Sequence, residues 1–161
     1  MFYEKVFRSF NEKGIRYIVV GGIALNLHGV PRATADLDLM VVLDNKNLKK
    51  IAAVLSEMGF RPRLPVKAEE FCDSQNLEKW NKEKKMEAFT FWNPKKYYEE
   101  VDILIHNPID FEALDKAKEI IEARGIKIPI VSLDHLIKLK ETCNREQDKS
   151  DVEALKKIKQ R

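Results

Sequence analysis

The stretch that decides the fold reads GGIALNLHGVPRATADLDLMVV and covers residues 21–42. Two aspartates in it, Asp36 and Asp38, alternate within an apolar run whose composition is typical of a β-strand. Alternate residues of a strand share a face, so both carboxylates are expected to point the same way, roughly 7 Å apart along the chain. Two carboxylates in apolar surroundings repel each other and resist burial, and a hard divalent cation relieves that conflict. The pattern therefore predicts a magnesium site. The alternative is an edge strand whose solvated face carries both aspartates.

A third carboxylate, Asp102, has the same apolar setting in the run VDILI at residues 101–105. If this run and the run that holds Asp36 and Asp38 form neighbouring strands, the three carboxylates converge. Two Mg²⁺ ions about 3.5–4 Å apart could then be held between them and the phosphates of a nucleotide. That arrangement favours phosphoryl or nucleotidyl transfer. The alternative is an Asp102 that faces solvent at the edge of a sheet.

The glycine pair that opens the stretch predicts a phosphate site. Gly21 and Gly22 follow the β-branched run of residues 15–20, so their backbone N–H groups are expected to lie unshielded at a strand-to-helix turn. The pattern matches neither G-x-x-x-x-G-K-[ST] nor G-x-G-x-x-G, which argues against a P-loop NTPase or a dinucleotide-binding fold. Arg32 and Thr34 precede the aspartates and could reach the phosphates or an acceptor, with a merely solvated loop as the alternative.

Length and composition favour a single domain over residues 1–161, with a core at about 15–107 and a C-terminal helical portion at about 110–161. A net charge of +3 permits contact with phosphates but falls short of the strong positive field of a dedicated nucleic-acid binder. Cys72 and Cys143 lie far apart and predict neither a disulfide framework nor a zinc site. Without a signal-peptide core or an apolar run long enough for a membrane span, the protein is expected to be cytoplasmic.

Hydrophobic periodicity predicts an α/β (α+β) fold with a mixed sheet flanked by helices. Strands are predicted over residues 15–20, 36–43, 86–92 and 100–105, and helices over 2–13, 23–28 and about 45–58. In the C-terminal portion the pattern predicts a helix that includes Ile120 and Ile121 and ends at Gly125, a short edge strand over 126–131 broken by Pro129, a helix capped by Ser132, and a last helix from about Asp148.

These motifs together resemble the signature of the DNA polymerase β-like nucleotidyltransferase superfamily. The signature consists of Gly21-Gly22, thirteen further residues up to Asp36-Leu37-Asp38, and the later Val101-Asp102-Ile103. The stretch from Gly21 to Asp38 is most similar to the small prokaryotic branch of abortive-infection toxin-type and lincosamide/aminoglycoside-type nucleotidyltransferases. Residues 140–152, KETCNREQDKSDV, resemble a late Lys-x4-Arg-x2-Asp-x2-Asp stretch of that branch. The resemblance implies the nucleotidyltransferase fold.

The resemblance also implies a role for individual residues. Asp36, Asp38 and Asp102 would be metal ligands and catalytic residues, and Asp102 would in addition help to deprotonate the acceptor. Gly21 and Gly22 would hold phosphate. On the nucleotide-binding side, Lys140 would face the triphosphate, and the last two helices would be organised around it by three residues of the C-terminal stretch, Arg145, Asp148 and Asp151.

The implied function is Mg²⁺-dependent transfer of a nucleoside monophosphate from an NTP to an acceptor, which is RNA, protein or a small molecule, with a toxin–antitoxin system as one setting. A chain this short has little room for a separate substrate domain, so a partner protein, a homodimer or an RNA is expected to complete the site. The alternative is a non-catalytic nucleotide-binding or toxin–antitoxin interaction module with the same fold.

A second alternative rests on residues 79–85 and 92–98, which interleave lysines with aromatic side chains as a surface for single-stranded nucleic acid does. A small RNA-binding protein would use them in that way. The structural alternative is a hairpin whose aromatic side chains pack on one face while the lysines stay in water.

Overall fold

A computed structural model describes residues 2–143 and 145–161. Its centre is a seven-stranded mixed sheet in the order β3-β4-β5-β2-β1-β7-β6. The strands are β1 (Tyr17–Val20), β2 (Leu37–Val41), β3 (Arg61–Pro62), β4 (Ala88–Asn93), β5 (Lys96–Leu104), β6 (Glu119–Ala123) and β7 (Ile126–Ile130). The helices are α1 (Phe2–Glu12), α2 (Gly21–Leu27), α3 (Asn45–Glu57), α4 (Ala68–Phe71), α5 (Ser74–Lys84), α6 (Phe111–Ala117), α7 (Leu133–Cys143) and α8 (Glu146–Lys159). The predicted α/β architecture is confirmed.

The central strands place the site. Strand β2 pairs antiparallel with β1 and parallel with β5, although about sixty residues separate β2 and β5 in the chain. The predicted neighbouring relation of these two strands is therefore confirmed. One face of β2 carries Leu37, Leu39 and Val41, all without solvent exposure, and this face packs into the core. The residues between them point to the opposite face, where Asp38 lies.

The core is built from apolar side chains of the helices and of the inner sheet face. An aromatic group holds the β4–β5 side of the molecule together, since the ring of Phe71 lies 4.9 Å from that of Phe89 and 5.1 Å from that of Phe91. Aromatic pairs at such distances contribute beyond the area they bury. Trp80 of α5 stacks on Phe89 at 5.8 Å, so its ring packs against the core as the structural alternative expects.

Side-chain caps start helices α3 and α7. The carboxylate of Asp44 accepts a hydrogen bond from Asn47 N at 2.7 Å and so caps α3. The hydroxyl of Ser132 accepts from His135 N at 3.2 Å and starts α7 in the same way. The last helix begins at Glu146, two residues before the predicted start. Within the described residues, no helix has the length and apolar character that crossing a membrane requires.

The prediction of one helix up to Gly125 is wrong beyond Ala117. The two isoleucines Ile120 and Ile121 lie on strand β6, which pairs antiparallel with β7. Arg124 and Gly125 connect these strands with φ angles of 51° and 75°, as a tight hairpin turn requires. Adjacent β-branched residues favour a strand, and the turn closes the hairpin, so the apparent helical spacing of the isoleucines was misleading.

The prediction that residues 126–131 form an edge strand is also wrong. Strand β7 lies between β1 and β6, and β6 is the strand at the end of the sheet. Pro129, which the sequence suggested would break the strand, lies opposite Ile120 of β6. On its other side β7 pairs with β1 at Ile130, the residue after the proline. The missing N–H of Pro129 is therefore accommodated next to a short pairing.

Candidate active site

The two aspartates Asp38 and Asp102 lie side by side at the centre of the sheet. The parallel register of β2 and β5 pairs them directly, and their carboxyl groups are within hydrogen-bonding contact. Asp36 immediately precedes β2. The negative charge of Asp102 raises the pKa of Asp36, and the negative charge of Asp36 raises the pKa of Asp38. The structure thus pairs Asp38 with Asp102 and leaves Asp36 close enough for its charge to act on theirs.

Burial and mutual repulsion disfavour the charged forms of these acids. The pKa of Asp38 is raised to about 7, first by burial and then by the negative charges of Asp102 and Asp36, while the positive charge of Lys140 acts in the opposite direction. The pKa of Asp36 is also raised, mainly by burial and by the charges of Glu100 and Asp102. The site therefore has a deficit of positive charge.

Neighbouring strands hold the acids in place. Thr90 of β4 lies opposite Asp102 in the sheet, and its hydroxyl donates a hydrogen bond to Asp102 Oδ1 at 2.6 Å. Glu100 lies two residues before Asp102 on the same strand face, and its negative charge raises the pKa of Asp36. Sequence reasoning missed Glu100, although the alternation of Glu100 with Asp102 repeats that of Asp36 with Asp38 and is the signal that could have identified it.

The glycine turn lies directly against the aspartates. Gly21 begins α2 with a φ of 68°, and a Cβ there would lie 2.9 Å from Asp38 Cβ and closer still to its carboxylate oxygen. A Cβ at Gly22 would lie 2.6 Å from the hydroxyl oxygen of Thr34. Side chains are therefore excluded at both positions, and Thr34 lies beside the turn. The glycine pair therefore lies against Asp38 and Thr34, and its predicted role as a phosphate site stays a prediction.

A network of ion pairs lies where the C-terminal helices meet the loop before β2. Lys140 of α7 is 8% exposed, and its ammonium group lies 3.5 Å from Asp148 Oδ1 and 3.2 Å from Asp151 Oδ2. Arg145 Nε pairs with Asp148 at 2.9 Å, and Arg32 pairs with Asp151. The solvated-loop alternative for Arg32 is therefore wrong. Lys140 is part of this network, and its charge also reaches Asp38.

The chemistry of the acidic residues fits a divalent cation. Carboxylate oxygens are the donors that Mg²⁺ prefers, and two of the three predicted ligands, Asp38 and Asp102, already lie next to each other. In the described ranges 2–143 and 145–161, no group of three or more His, Cys, Asp or Glu side chains is placed so that it could hold a metal ion, so the three predicted ligands are not all assembled. The Asp38–Asp102 pair is thus the part of the expected ligand set that the fold itself assembles.

The remaining basic and aromatic residues lie on the β4–β5 hairpin and beside it. Tyr97 and Tyr98 are 75% and 61% exposed, and their rings contact each other edge to face at 6.0 Å. Trp92 instead carries the guanidinium of Arg63 at 4.8 Å from its ring. The expected hairpin is present, but its two tyrosines are solvent-exposed rather than packed.

Comparison with known proteins finds solved structures with a similar fold. No protein-family model matches the chain, and no curated protein matches it in sequence. Three solved structures are similar over nearly the whole chain. TM1012 from Thermotoga maritima, provisionally assigned as a nucleotidyltransferase, has a TM-score of 0.59 at 18% identity and covers 99% of this chain and 92% of its own.

Two antibiotic-modifying enzymes are similar to the same extent. The lincosamide antibiotic adenylyltransferase LnuA, solved with lincomycin, has a TM-score of 0.61 at 16% identity, covering 98% of this chain and 94% of its own. ANT(2″)-Ia, solved with adenylyl-2″-tobramycin, has a TM-score of 0.60 at 12% identity, covering 98% of this chain and 91% of its own. The chain therefore has the nucleotidyltransferase fold.

Proposed function

We propose that this protein is a Mg²⁺-dependent nucleotidyltransferase that transfers a nucleoside monophosphate from an NTP to a hydroxyl or phosphate of an acceptor. The single observation that carries the proposal is the pairing of Asp38 with Asp102 across β2 and β5, directly against the glycine turn. An acidic pair beside an unshielded backbone turn is suited to a cation and to the phosphates that the cation accompanies.

The acidic residues would act on the cation and on the acceptor. Asp36, Asp38 and Asp102 would hold Mg²⁺, with two ions expected when the nucleotide is bound. Bound Mg²⁺ would supply charge neutralisation at the phosphates and a lowered pKa of the attacking group. Asp102, whose orientation Thr90 fixes, is the residue that we propose accepts the proton of the acceptor.

The glycine turn and the C-terminal network would bind the triphosphate. Gly21 and Gly22 have no side chains of their own to keep a phosphate from their backbone N–H groups, and the hydroxyl of Thr34 lies beside Gly22. Lys140 supplies a positive charge that acts on Asp38. We assign an organising role to the other four members, Arg32, Arg145, Asp148 and Asp151, because each is engaged in an ion pair of the network that holds Lys140.

Two of the similar structures bear on the acceptor. LnuA was solved with lincomycin and ANT(2″)-Ia with adenylyl-2″-tobramycin, so both of those proteins bind small polyhydroxylated compounds or their adenylylated product. A small molecule with a free hydroxyl is therefore the first acceptor class to test for this chain. RNA and protein acceptors, including those of a toxin–antitoxin system, form the second and third arms of the same experiment.

The experiment incubates the protein with each of four α-³²P-labelled NTPs, Mg²⁺ and one acceptor class at a time. We expect transfer of label together with release of pyrophosphate. Asp38→Asn is expected to lower transfer by at least about 100-fold, since even the loss of an outer partner of a ligand costs 10–100-fold. Asp134→Asn is the matched control, because Asp134 forms an exposed ion pair with Lys159. Label transfer that survives Asp38→Asn would overturn the proposal.

A further inference from the structure

The acidic face continues one residue beyond the aspartates. Leu37 pairs with Val101 and Asp38 with Asp102, so the same parallel register brings Asp36 next to Glu100. Both carboxylates are negatively charged, so Glu100 repels Asp36 unless a positive charge offsets it. Asp36 immediately precedes β2 and lies outside its strand pairing, so its position depends on the side chains beside it.

Glu100 is in turn held from the outer side of the sheet. Arg63 forms an ion pair with Glu100, and its guanidinium lies over the ring of Trp92, the residue opposite Glu100 on β4. The backbone of Arg63 is fixed as well, because its N–H donates to the carbonyl oxygen of Thr90 at 2.9 Å. We call Arg63, Trp92 and Glu100 the Arg63 clamp.

We propose that the Arg63 clamp positions the Asp36 carboxylate for the divalent cation, while the register of β2 and β5 positions Asp38 and Asp102. Arg63 is thus a positioning residue that acts through Glu100. This inference rests on the proposed function, because it requires a cation at the aspartates. Arginine suits the role since its planar guanidinium can pair with a carboxylate and stack on an aromatic ring at once, which a lysine cannot do.

The test measures binding of Mn²⁺ alone to the whole chain by electron paramagnetic resonance, without nucleotide or acceptor. Arg63→Lys keeps the positive charge but loses the paired and stacked geometry, so its electrostatic effect on the cation stays similar. We expect Mn²⁺ affinity to fall about tenfold, as is typical when a partner that orients a ligand is lost. Asp36→Asn is expected to weaken binding at least as much.

The double variant separates positioning from a general effect on structure. If Arg63 acts through Asp36, then Arg63→Lys costs no further affinity in the Asp36→Asn background, because the residue being positioned is already gone. Additive losses would overturn the clamp. Arg124→Lys is the matched control, since Arg124 forms an exposed ion pair with Glu4, and it is expected to bind Mn²⁺ as the wild type does.

A second route tests the clamp without touching a charge. Trp92→Leu removes the aromatic face under Arg63, and we expect Mn²⁺ affinity to fall several-fold, while Trp92→Phe keeps the face and the affinity. Unchanged affinity in both Arg63→Lys and Trp92→Leu would overturn the clamp and leave the proposed function standing. A wild-type protein that binds no Mn²⁺ would overturn the cation site itself, and the clamp with it.

Discussion

Asp38 lies in surroundings that disfavour its charged form when no cation is bound. It lies against a glycine turn on one side and against Asp102 on the other, so its carboxylate is partly shielded from water and close to like charges. Both effects raise its pKa, to about 7. At the scale of the residue, the site therefore gives up stability that a bound cation could restore.

The pH dependence of stability follows from this residue. The folded-state pKa of Asp38 exceeds its unfolded value, so the folded state holds the proton more strongly and loses stability as the pH rises from about 4 to about 7. A tenfold difference in proton affinity between the folded and unfolded states corresponds to about 1.4 kcal/mol of unfolding free energy. We expect the free energy of unfolding, measured with urea, to be lower at pH 8 than at pH 5.

Two comparisons identify Asp38 as the cause. In Asp38→Asn the difference between pH 5 and pH 8 should shrink, and in the wild type Mg²⁺ should raise stability at pH 8 more than at pH 5. A wild-type protein that is equally stable at both pH values, or a difference that Asp38→Asn leaves intact, would contradict the electrostatic account.

Gly21 permits the second prediction at this scale. Both Gly21→Ala and Gly59→Ala place a side chain at a positive φ, of 68° and 89°, which costs about 1–2 kcal/mol. Only the alanine at position 21 would also collide with Asp38, since nothing lies within 4 Å of a Cβ at position 59. We therefore expect Gly21→Ala to lose more unfolding free energy and to abolish Mn²⁺ binding, whereas Gly59→Ala keeps it. Equal effects in the two variants would contradict the close contact.

At the scale of elements, α7 and α8 are joined by the charges of the C-terminal network. Lys140, Asp148 and Asp151 are all buried, so each charge depends on its partners rather than on water. The loop before β2 is tied to the same network through Arg32. The two helices thereby hold a lysine within electrostatic reach of a strand more than 90 residues earlier.

This arrangement predicts unequal effects of two substitutions in one helix. Asp148→Asn leaves Lys140 and Arg145 short of a buried carboxylate, and the expected loss of unfolding free energy is about 3 kcal/mol. Glu146→Gln breaks an exposed pair with Lys149 and should cost less than about 1 kcal/mol. Urea denaturation of both variants checks the difference, and comparable losses would show that the network does not hold α7 and α8 together.

The sequence predicts those elements whose signals are local. Alternation of Asp36 with Asp38 in an apolar run predicted β2 and its acidic face, and hydrophobic periodicity predicted α3 at about residues 45–58. Strand β6 was missed because Ile120 and Ile121 also fit a helical stripe, and only the turn that pairs β6 with β7 decides between the two. Glu100 was missed for a related reason, since only the register of β2 and β5 places it beside Asp36.

At the scale of the whole molecule, the sheet order brings distant segments to one place. Strands β2 and β5 are central neighbours, β1 delivers the glycine turn, and β4 adds Thr90 from the other side. The C-terminal helices complete this face with Lys140. The fold thus brings the acidic groups, the glycine turn and the buried Lys140 together, as transfer of a nucleotide would require.

The central claim is that Asp38 and Asp102 form the core of a divalent-cation site. Crystals grown with Mn²⁺ and a non-hydrolysable NTP, measured at a wavelength where manganese scatters anomalously, test it most directly. The account predicts an anomalous peak in contact with the carboxylates of Asp38 and Asp102, with the nucleotide phosphates beside Gly21. A fully occupied nucleotide elsewhere on the molecule, with no peak between these two aspartates, would contradict it.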